Sequence, residues 1–263
     1  MNLIQSAKTL VRDGVDRLPA RQWTRRGPDD ARIAIESQQY WEGERGYDWR
    51  GDSHFRADSP VDDSTWLGIG RDHLALFTKL AAVVGDHKLG RVVEWGCGGG
   101  ANAVAFAPHC TEFIGVDVAQ ATLDECSRQV AEVCDTPFVP VLAEVAAPEA
   151  AAQKIAPGCD LFLCIYVLEL VPSQEYGLRL MRIAHDLLAD GGLALVQIKY
   201  STRSWRTLPR RRRYRAHLAD MTTYPIDEFW VAAEQCGLRP EVVHIVPKTD
   251  VDERYAYFLL SRP

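Results

Sequence analysis

The sequence predicts an α/β fold: a doubly wound, mostly parallel seven-stranded sheet whose last strand is reversed, with an N-terminal cap. Apolar strand segments alternate with amphipathic helical segments through most of the chain, which is typical of parallel sheets. A glycine-rich turn joins the first strand to the helix that follows it. The last two strands are separated only by residues 247–253, too few for a crossover helix, so they must pair antiparallel.

The individual elements follow from the spacing of apolar residues. Helices are predicted at residues 28–41, 71–84, 101–107, 123–133, 174–188 and 226–235. Strands are predicted at residues 92–93, 113–116, 138–142, 161–166, 193–199, 241–246 and 255–261. The run at 161–166 is apolar throughout, which indicates a strand covered on both faces. Asp62, Asp63 or Ser64 is expected to cap the helix that leads to the first strand.

The chain is expected to have two parts. Residues 1–70 would form an N-terminal arm and cap, and residues 71–263 a ligand-binding domain with an arginine-rich insert at 200–225. The first 32 residues have weak periodicity, which favours a flexible arm or a short surface helix. Residues 40–66 are irregular but rich in aromatic side chains, so they are expected to fold over the ligand side of the sheet and exclude water.

Composition limits the class of protein. The chain has 263 residues, 47% of them hydrophobic and 25% charged, with a net charge of −6; this fits a soluble globular protein and disfavours nucleic acid as a partner. It has no run of about 18 apolar residues and no apolar core after Met1, so neither a membrane span nor a signal peptide is expected. Seven cysteines without a C-x-x-C pair indicate thiols in a reducing cytoplasm.

The glycine-rich turn reads Glu94-x-Gly96-x-Gly98-x-Gly100. Glycines at these positions let a ligand lie against bare backbone, because no Cβ stands in the way. Asp117 follows Gly96 by 21 residues and ends the second strand, where an acid can accept hydrogen bonds from ribose hydroxyls. Together these residues predict a cofactor that contains adenosine.

Two kinds of cofactor fit the glycines, since Gly96-x-Gly98-x-x-Ala101 also satisfies the dinucleotide pattern. Glu94 favours the other kind, because a carboxylate would repel a pyrophosphate but attract a ligand with an ammonium and a sulfonium. The chain here resembles the class I S-adenosylmethionine-dependent methyltransferases, which have a Rossmann-like fold and a first motif of the form acid-x-Gly-x-Gly-x-Gly. The resemblance extends over roughly residues 81–263, and the reversed last strand is also an arrangement of that family.

The resemblance implies that S-adenosylmethionine lies across the carboxyl ends of the strands. Its expected contacts are Arg71, Glu94, Gly96, Cys97, Gly98, Asp117, Val118, Glu144, Val145 and Ile165. Arg71 would pair with the cofactor's α-carboxylate, as an arginine at a similar distance does in related enzymes. Glu144 would accept from the adenine amino group, or else is a solvated loop acid, and Val145 would offer its backbone N–H to the ring.

No metal is expected. Residues 164–171 resemble a loop of the ubiquinone-biosynthesis O-methyltransferases, in which two acids and a histidine can bind a divalent cation. The corresponding residues here are Tyr166, Glu169 and Leu170, and one carboxylate does not make a magnesium site. Only the cofactor contact at Ile165 is therefore carried over.

A hydroxyl acceptor has a high pKa, so a base within hydrogen-bond reach would assist methyl transfer. His73, two residues after Arg71, is the first candidate for that base. Glu169 is the second, since the loop after the fourth strand faces the methyl group in this fold, and His54 in the cap is a further candidate. The alternative for each histidine is a structural role in the core.

The arginine-rich insert suggests what the acceptor is. Seven arginines, with no acid among them, occupy positions 203, 206, 210, 211, 212, 213 and 215. They predict a small hydroxyl-bearing acceptor that is polar or anionic, such as a sugar, or else a solvated basic face or a contact within a homo-oligomer. The resulting hypothesis is a small-molecule O-methyltransferase. The alternatives are an RNA- or protein-directed methyltransferase that uses the insert, and a non-catalytic S-adenosylmethionine-binding module.

Overall fold

The structure is a computed structural model. It describes residues 29–43, 48–58, 62–85, 87, 89–202, 204–210, 214, 218–247 and 253–263. Residues 1–28 of the predicted arm lie outside the described residues, as do the insert's arginines at 203, 211, 212, 213 and 215.

One sheet forms the centre of the molecule, with the strand order β3-β2-β1-β4-β5-β8-β7. Its strands are β1 (Arg91–Trp95), β2 (Glu112–Asp117), β3 (Phe138–Leu142), β4 (Cys159–Cys164), β5 (Leu188–Ser201), β6 (Tyr224–Pro225), β7 (Arg239–Ile245) and β8 (Tyr255–Ser261). The first five strands are parallel, and β8 pairs antiparallel with both β5 and β7. The predicted fold class and the reversed last strand are confirmed; the short β6, which pairs with β5, was not predicted.

The helices are α1 (Asp30–Trp41), α2 (Trp49–Asp52), α3 (Asp63–Val84), α4 (Ala103–Phe106), α5 (Gln120–Val133), α6 (Pro148–Ala152), α7 (Gln174–Leu187) and α8 (Ile226–Gln235). Those predicted by apolar spacing lie within a few residues of their expected bounds, except α3. Asp62 caps α3 by accepting from the backbone N–H groups of Ser64 and Thr65. The helix therefore begins eight residues before Arg71 and runs through the expected boundary at residue 70, because the fully buried Trp66 extends its apolar face.

Two apolar layers cover the sheet, one on each face. Val93, Phe162 and Val196 face the layer that contains α7, whereas neighbouring strand positions face the layer that contains α3 and α5. A strand covered on both faces needs apolar residues at every position, which explains the continuous run in β4. This arrangement leaves the carboxyl ends of the parallel strands, together with the cap helices α1 and α2, on one side of the molecule. Among the described residues no helix has the length and apolar character to cross a membrane.

The helix α3 packs directly on the glycine-rich turn. A Cβ added at Gly70 would meet the carbonyl oxygen of Ala101 at 2.0 Å, so only glycine permits this approach. Gly68, two residues earlier on the same helix, has nothing within 4 Å of such a Cβ.

We expect Gly70→Ala to lower the free energy of unfolding by about 1–3 kcal/mol, because the added methyl must push helix and turn apart. Gly68→Ala is the matched control and should raise it by about 0.5–1 kcal/mol through improved helix propensity. Urea unfolding of both variants measures the difference. Equal effects of the two substitutions would contradict the close packing of α3 on the turn.

Candidate active site

A cavity of about 980 Å³, counting the part open to solvent, lies at the carboxyl ends of β1, β2 and β4. Of the residues predicted from sequence, it is lined by His54, Glu94, Gly96, Cys97, Gly98, Asp117, Val118, Val145 and Ile165. Arg71, His73, Glu144 and Glu169 are not among its lining residues. Most of the predicted cofactor contacts are thus brought together, whereas two of the three predicted bases are not.

Glu94 is the next-to-last residue of β1, and its side chain is buried against the cavity. Its Oε1 accepts a hydrogen bond of 2.7 Å from Nδ2 of Asn102. Its Oε2 is also buried and has no hydrogen-bond partner among the described residues. Burial raises the pKa of this carboxyl to about 8, against the lowering effect of the Asn102 bond. A ligand that donates to Oε2, above all a cationic one, would remove this electrostatic cost.

Asp117 is held rigidly at the end of β2. Its Oδ2 accepts from the backbone N–H of Gly98 at 3.1 Å, and its Oδ1 accepts from those of Val118 and Ala119 at 2.8 and 3.3 Å. Burial raises the pKa of Asp117 to about 6, although these three hydrogen bonds act in the opposite direction. The carboxylate therefore has a fixed orientation beside the cavity, which suits an acceptor of ribose hydroxyl hydrogen bonds.

The backbone amides of the glycine-rich turn are already used within the protein. Gly96 and Cys97 donate to the carbonyl of Val116, Gly98 to Asp117, Gly99 to the carbonyl of Ser53 at 2.6 Å, and Gly100 to the carbonyl of Cys97. A pyrophosphate cradle needs such N–H groups free. In addition, no lysine or arginine of the described part of the chain lines the cavity. Both observations disfavour a dinucleotide.

Gln38, from α1, bridges the ends of β2 and β3. Its Nε2 donates to the carbonyl of Val118 at 3.2 Å, and its Oε1 accepts from the backbone N–H of Val145 at 2.8 Å. The N–H of Val145, which was expected to contact adenine, is thus already paired with the cap. Glu144 is exposed, because the strand alternation after β3 turns its neighbours Ala143 and Val145 inward, and this exposure favours the solvated alternative.

Arg71 is exposed and is not among the residues that line the cavity, so its pairing with the cofactor stays a prediction. The buried face of α3 is marked by Gly70 and His73, three residues apart, and the exposed Arg71 lies off that face.

His73 is buried in the core and is not among the residues that line the cavity, so its role as the base stays a prediction that this geometry does not favour. Its Nδ1 lies 2.7 Å from Oδ1 of Asn102, and its Nε2 lies 2.8 Å from the hydroxyl of Tyr257. Glu169, the second candidate, is 2% exposed and accepts from the hydroxyl of Tyr255 at 3.3 Å, in the interior beside β8.

His54 is the candidate base that the structure places in the cavity. Its backbone has φ 55°, and its ring lies 5.8 Å from that of Tyr166, whose φ is 56°. Left-handed backbone at residues other than glycine is uncommon and concentrates at functional sites. Burial lowers the pKa of His54, assisted by His73 and opposed by Asp52, so the imidazole is neutral at pH 7. A neutral imidazole can accept a proton.

The far wall of the cavity is largely aromatic and apolar, and most of it was not predicted. It includes Trp41, Tyr166, Leu170, Val171, Tyr176 and Tyr214. Tyr214 lies within the arginine-rich insert, and its hydroxyl accepts from Nε1 of Trp41 at 2.8 Å, which fastens insert to cap. The insert's described arginines, Arg206 and Arg210, do not line the cavity. The charged residues that line the cavity are Asp52, Glu94 and Asp117.

Comparison with known proteins agrees with this fold. The architecture is that of the class I methyltransferases. Residues 93–194 match the family model of a methyltransferase domain, which therefore contains the glycine-rich turn and β2 to β4. No curated protein sequence matches the chain.

Among solved structures, the N-methyltransferase NodS from Bradyrhizobium japonicum, in complex with S-adenosyl-L-homocysteine, is similar at 15% identity and a TM-score of 0.55, over 73% of this chain and 87% of that one. The magnesium protoporphyrin IX methyltransferase ChlM from Synechocystis, with the same ligand, is similar at 12% identity and a TM-score of 0.55, over 97% of this chain and 100% of that one. At such identities the likeness establishes the fold.

The pKa of Glu94 has a consequence for stability. A carboxyl with a higher pKa in the folded than in the unfolded protein loses stability as pH rises from its ordinary value of 4.5 towards about 8. We therefore expect Glu94→Gln to gain on the wild-type protein in free energy of unfolding over this pH range, on the order of a few kcal/mol. Urea unfolding at several pH values tests this, with Glu144→Gln as the exposed control. Parallel pH profiles for wild type and Glu94→Gln would contradict it.

Proposed function

We propose that this protein is an S-adenosylmethionine-dependent methyltransferase that acts on a small molecule, with a hydroxyl as the favoured acceptor group. The observation that carries the proposal is the buried Oε2 of Glu94, which lines the same cavity as the fixed carboxylate of Asp117. An ammonium group would satisfy the first, and ribose hydroxyls could donate further hydrogen bonds to the second. The match of residues 93–194 to a methyltransferase domain supports the same reading.

The described residues fit the cofactor along its length. Glu94 would hold the ammonium end of the cofactor, and Asp117 would hold its ribose. The side chains of Val118, Val145 and Ile165 would contact the adenine ring. When bound, S-adenosylmethionine supplies an activated methyl group, so the protein must position the acceptor and exclude water. The cap provides that exclusion, because Trp41 of α1 and Tyr214 close the side of the cavity away from the sheet.

His54 is proposed to accept the proton of the hydroxyl group. It is the only histidine among the described lining residues, and it is neutral at pH 7 because burial lowers its pKa. Tyr166 beside it and the other aromatic residues offer flat apolar faces, which suit the carbon face of a sugar or of a ring-containing natural product.

A second candidate is an amine acceptor, favoured by the charges of the cavity. Asp52, Glu94 and Asp117 are acids, and no described lining residue is a lysine or arginine. Such a wall favours an uncharged or cationic acceptor over an anionic one. An anionic acceptor would have to contact the arginines that lie outside the described residues.

Cofactor binding is the first test. Calorimetry should detect binding of S-adenosylmethionine or S-adenosylhomocysteine and none of NAD, since the N–H groups of residues 96–100 are already paired within the protein. Asp117→Asn should weaken binding by about 1.5–3 kcal/mol, because one carboxylate oxygen is lost to the ribose. Glu144→Gln, an exposed acid near the same strand ends, should leave affinity unchanged. Tight NAD binding without an S-adenosylmethionine signal would overturn the proposal.

The base is tested by the pH dependence of turnover. Release of S-adenosylhomocysteine, measured over a panel of hydroxyl and amine compounds, identifies acceptors. For a hydroxyl acceptor, His54→Gln should lower turnover by about 10²–10⁴-fold and leave cofactor affinity unchanged. In the wild-type protein the acid limb of the pH profile should lie below 6.5, the ordinary pKa of histidine, and should vanish in the variant. Unchanged turnover on a hydroxyl would contradict this role, and unchanged turnover on an amine would favour the second candidate.

A further inference from the structure

A chain of five hydrogen bonds crosses the core from the backbone of Tyr166 to the carboxyl of Glu94. In order, it joins Tyr166 N to Gln197 Oε1 (2.8 Å), Gln197 Nε2 to Tyr257 Oη (3.0 Å), Tyr257 Oη to His73 Nε2 (2.8 Å), His73 Nδ1 to Asn102 Oδ1 (2.7 Å), and Asn102 Nδ2 to Glu94 Oε1 (2.7 Å). The four intermediate side chains are all buried. Its two ends line the cavity on different strands, β1 and the loop after β4.

The direction of this chain is fixed from the Tyr166 end. A backbone N–H can only donate, so Gln197 must present its Oε1 to Tyr166 and its Nε2 to Tyr257. Tyr257 therefore accepts from Gln197, which leaves its own O–H able to donate to Nε2 of His73.

A neutral His73 that accepts this hydrogen bond has a defined tautomer. With Nε2 accepting, the ring proton of the neutral imidazole lies on Nδ1, which donates to Oδ1 of Asn102. The Asn102 amide is then oriented with its Nδ2 towards Glu94, the only orientation in which it donates to the carboxylate. Each side chain thus determines the orientation of the next.

We propose that His73 and Tyr257 are positioning residues that orient Glu94 for the cofactor and couple it to the Tyr166 wall of the acceptor site. This inference rests on the proposed function for the identity of the ligand. Neither residue lines the cavity, so each acts through its neighbours.

The physical effect is control over which way Asn102 faces. If Nε2 of His73 lost its donor, the ring could carry its proton on Nε2 and accept at Nδ1. Asn102 would then turn to donate to His73 and present Oδ1 to Glu94, where two oxygens repel each other. Glu94 would lose the bond that fixes its Oε1 and leaves Oε2 facing the ligand.

The opposite end of the chain affects the acceptor side. Gln197 holds the N–H of Tyr166, whose backbone has φ 56° and whose ring lies near that of His54. The same chain of hydrogen bonds therefore orders both Glu94, which would bind the cofactor, and Tyr166, which would face the acceptor. His73, which the sequence analysis gave as a candidate base, is therefore proposed to position Glu94 instead of accepting a proton.

The test removes one oxygen atom. Tyr257→Phe keeps the ring in the core but deletes the group that donates to His73. The matched control is Tyr224→Phe, a buried tyrosine outside the chain whose hydroxyl makes a single 3.3 Å bond to the carbonyl of Leu168. Both variants are assayed in the full chain for melting temperature and for S-adenosylhomocysteine affinity by calorimetry.

We expect Tyr257→Phe to raise the dissociation constant about 3- to 30-fold, while Tyr224→Phe changes it less than about twofold at a similar loss of melting temperature. Equal dissociation constants for the two variants would show that Tyr257 is merely structural and overturn the proposal. If Tyr257→Phe does not fold, His73→Leu and His73→Gln replace it: leucine should weaken binding and glutamine, which can both donate and accept, should restore it. Loss of affinity in both would overturn the proposal.

A spectroscopic measurement separates this inference from the proposed function. Nitrogen NMR of histidine-labelled, ligand-free protein should show His73, assigned by the loss of its signals in His73→Gln, protonated at Nδ1 and not at Nε2. In Tyr257→Phe this tautomer should no longer be the sole one. A wild-type proton on Nε2 would overturn the chain, whereas a wild-type protein with the expected tautomer but no affinity for S-adenosylhomocysteine would overturn the proposed function instead.

Discussion

The site depends on the contact between the glycine-rich turn and the backbone of the cap. The N–H of Gly99 donates to the carbonyl of Ser53 at 2.6 Å, and a Cβ at Gly98 or Gly99 would collide with the carbonyls of Ser53 and His54. Two backbone segments can approach so closely only where side chains are absent. This contact brings His54 into the cavity in its left-handed conformation, and it consumes an amide that a phosphate would require.

The glycines of this turn therefore serve the protein's own packing as much as a ligand. Gly96 illustrates the same point from the other side, because a Cβ there would meet the side chain of Val167 at 2.4 Å. With the turn enclosed between α3, the cap and the loop after β4, recognition falls to the two carboxylates at the ends of β1 and β2. Their raised pKa values are the electrostatic cost of that enclosure, and a ligand that donates hydrogen bonds relieves it.

Local spacing was enough to predict the fold and the centre of the site. The turn, the acid after β2 and the reversed β8 are each determined by residues near one another in the chain or by the length of one connection. The structure departs from the expected positions where three-dimensional context decides. His73 and His54 cannot be ranked from sequence, since the partner Tyr257 lies 184 residues beyond His73. The exposure of Glu144 could have been predicted, because apolar neighbours on both sides indicate that its side chain faces outward. To predict the exposed position of Arg71, the rotational phase of α3 must be known, and this helix begins earlier than its apolar spacing suggested.

The bridge made by Gln38 has a consequence for protein engineering. Because one side chain of α1 holds the carbonyl of Val118 and the N–H of Val145, the element that encloses the acceptor is also attached to the strand ends expected to hold adenine. Exchanging the cap for that of another enzyme, a common route to new substrates, would disturb both binding events together. A grafted cap that retains glutamine at this position would keep the hydrogen bonds to Val118 and Val145 while the rest of the cap is exchanged.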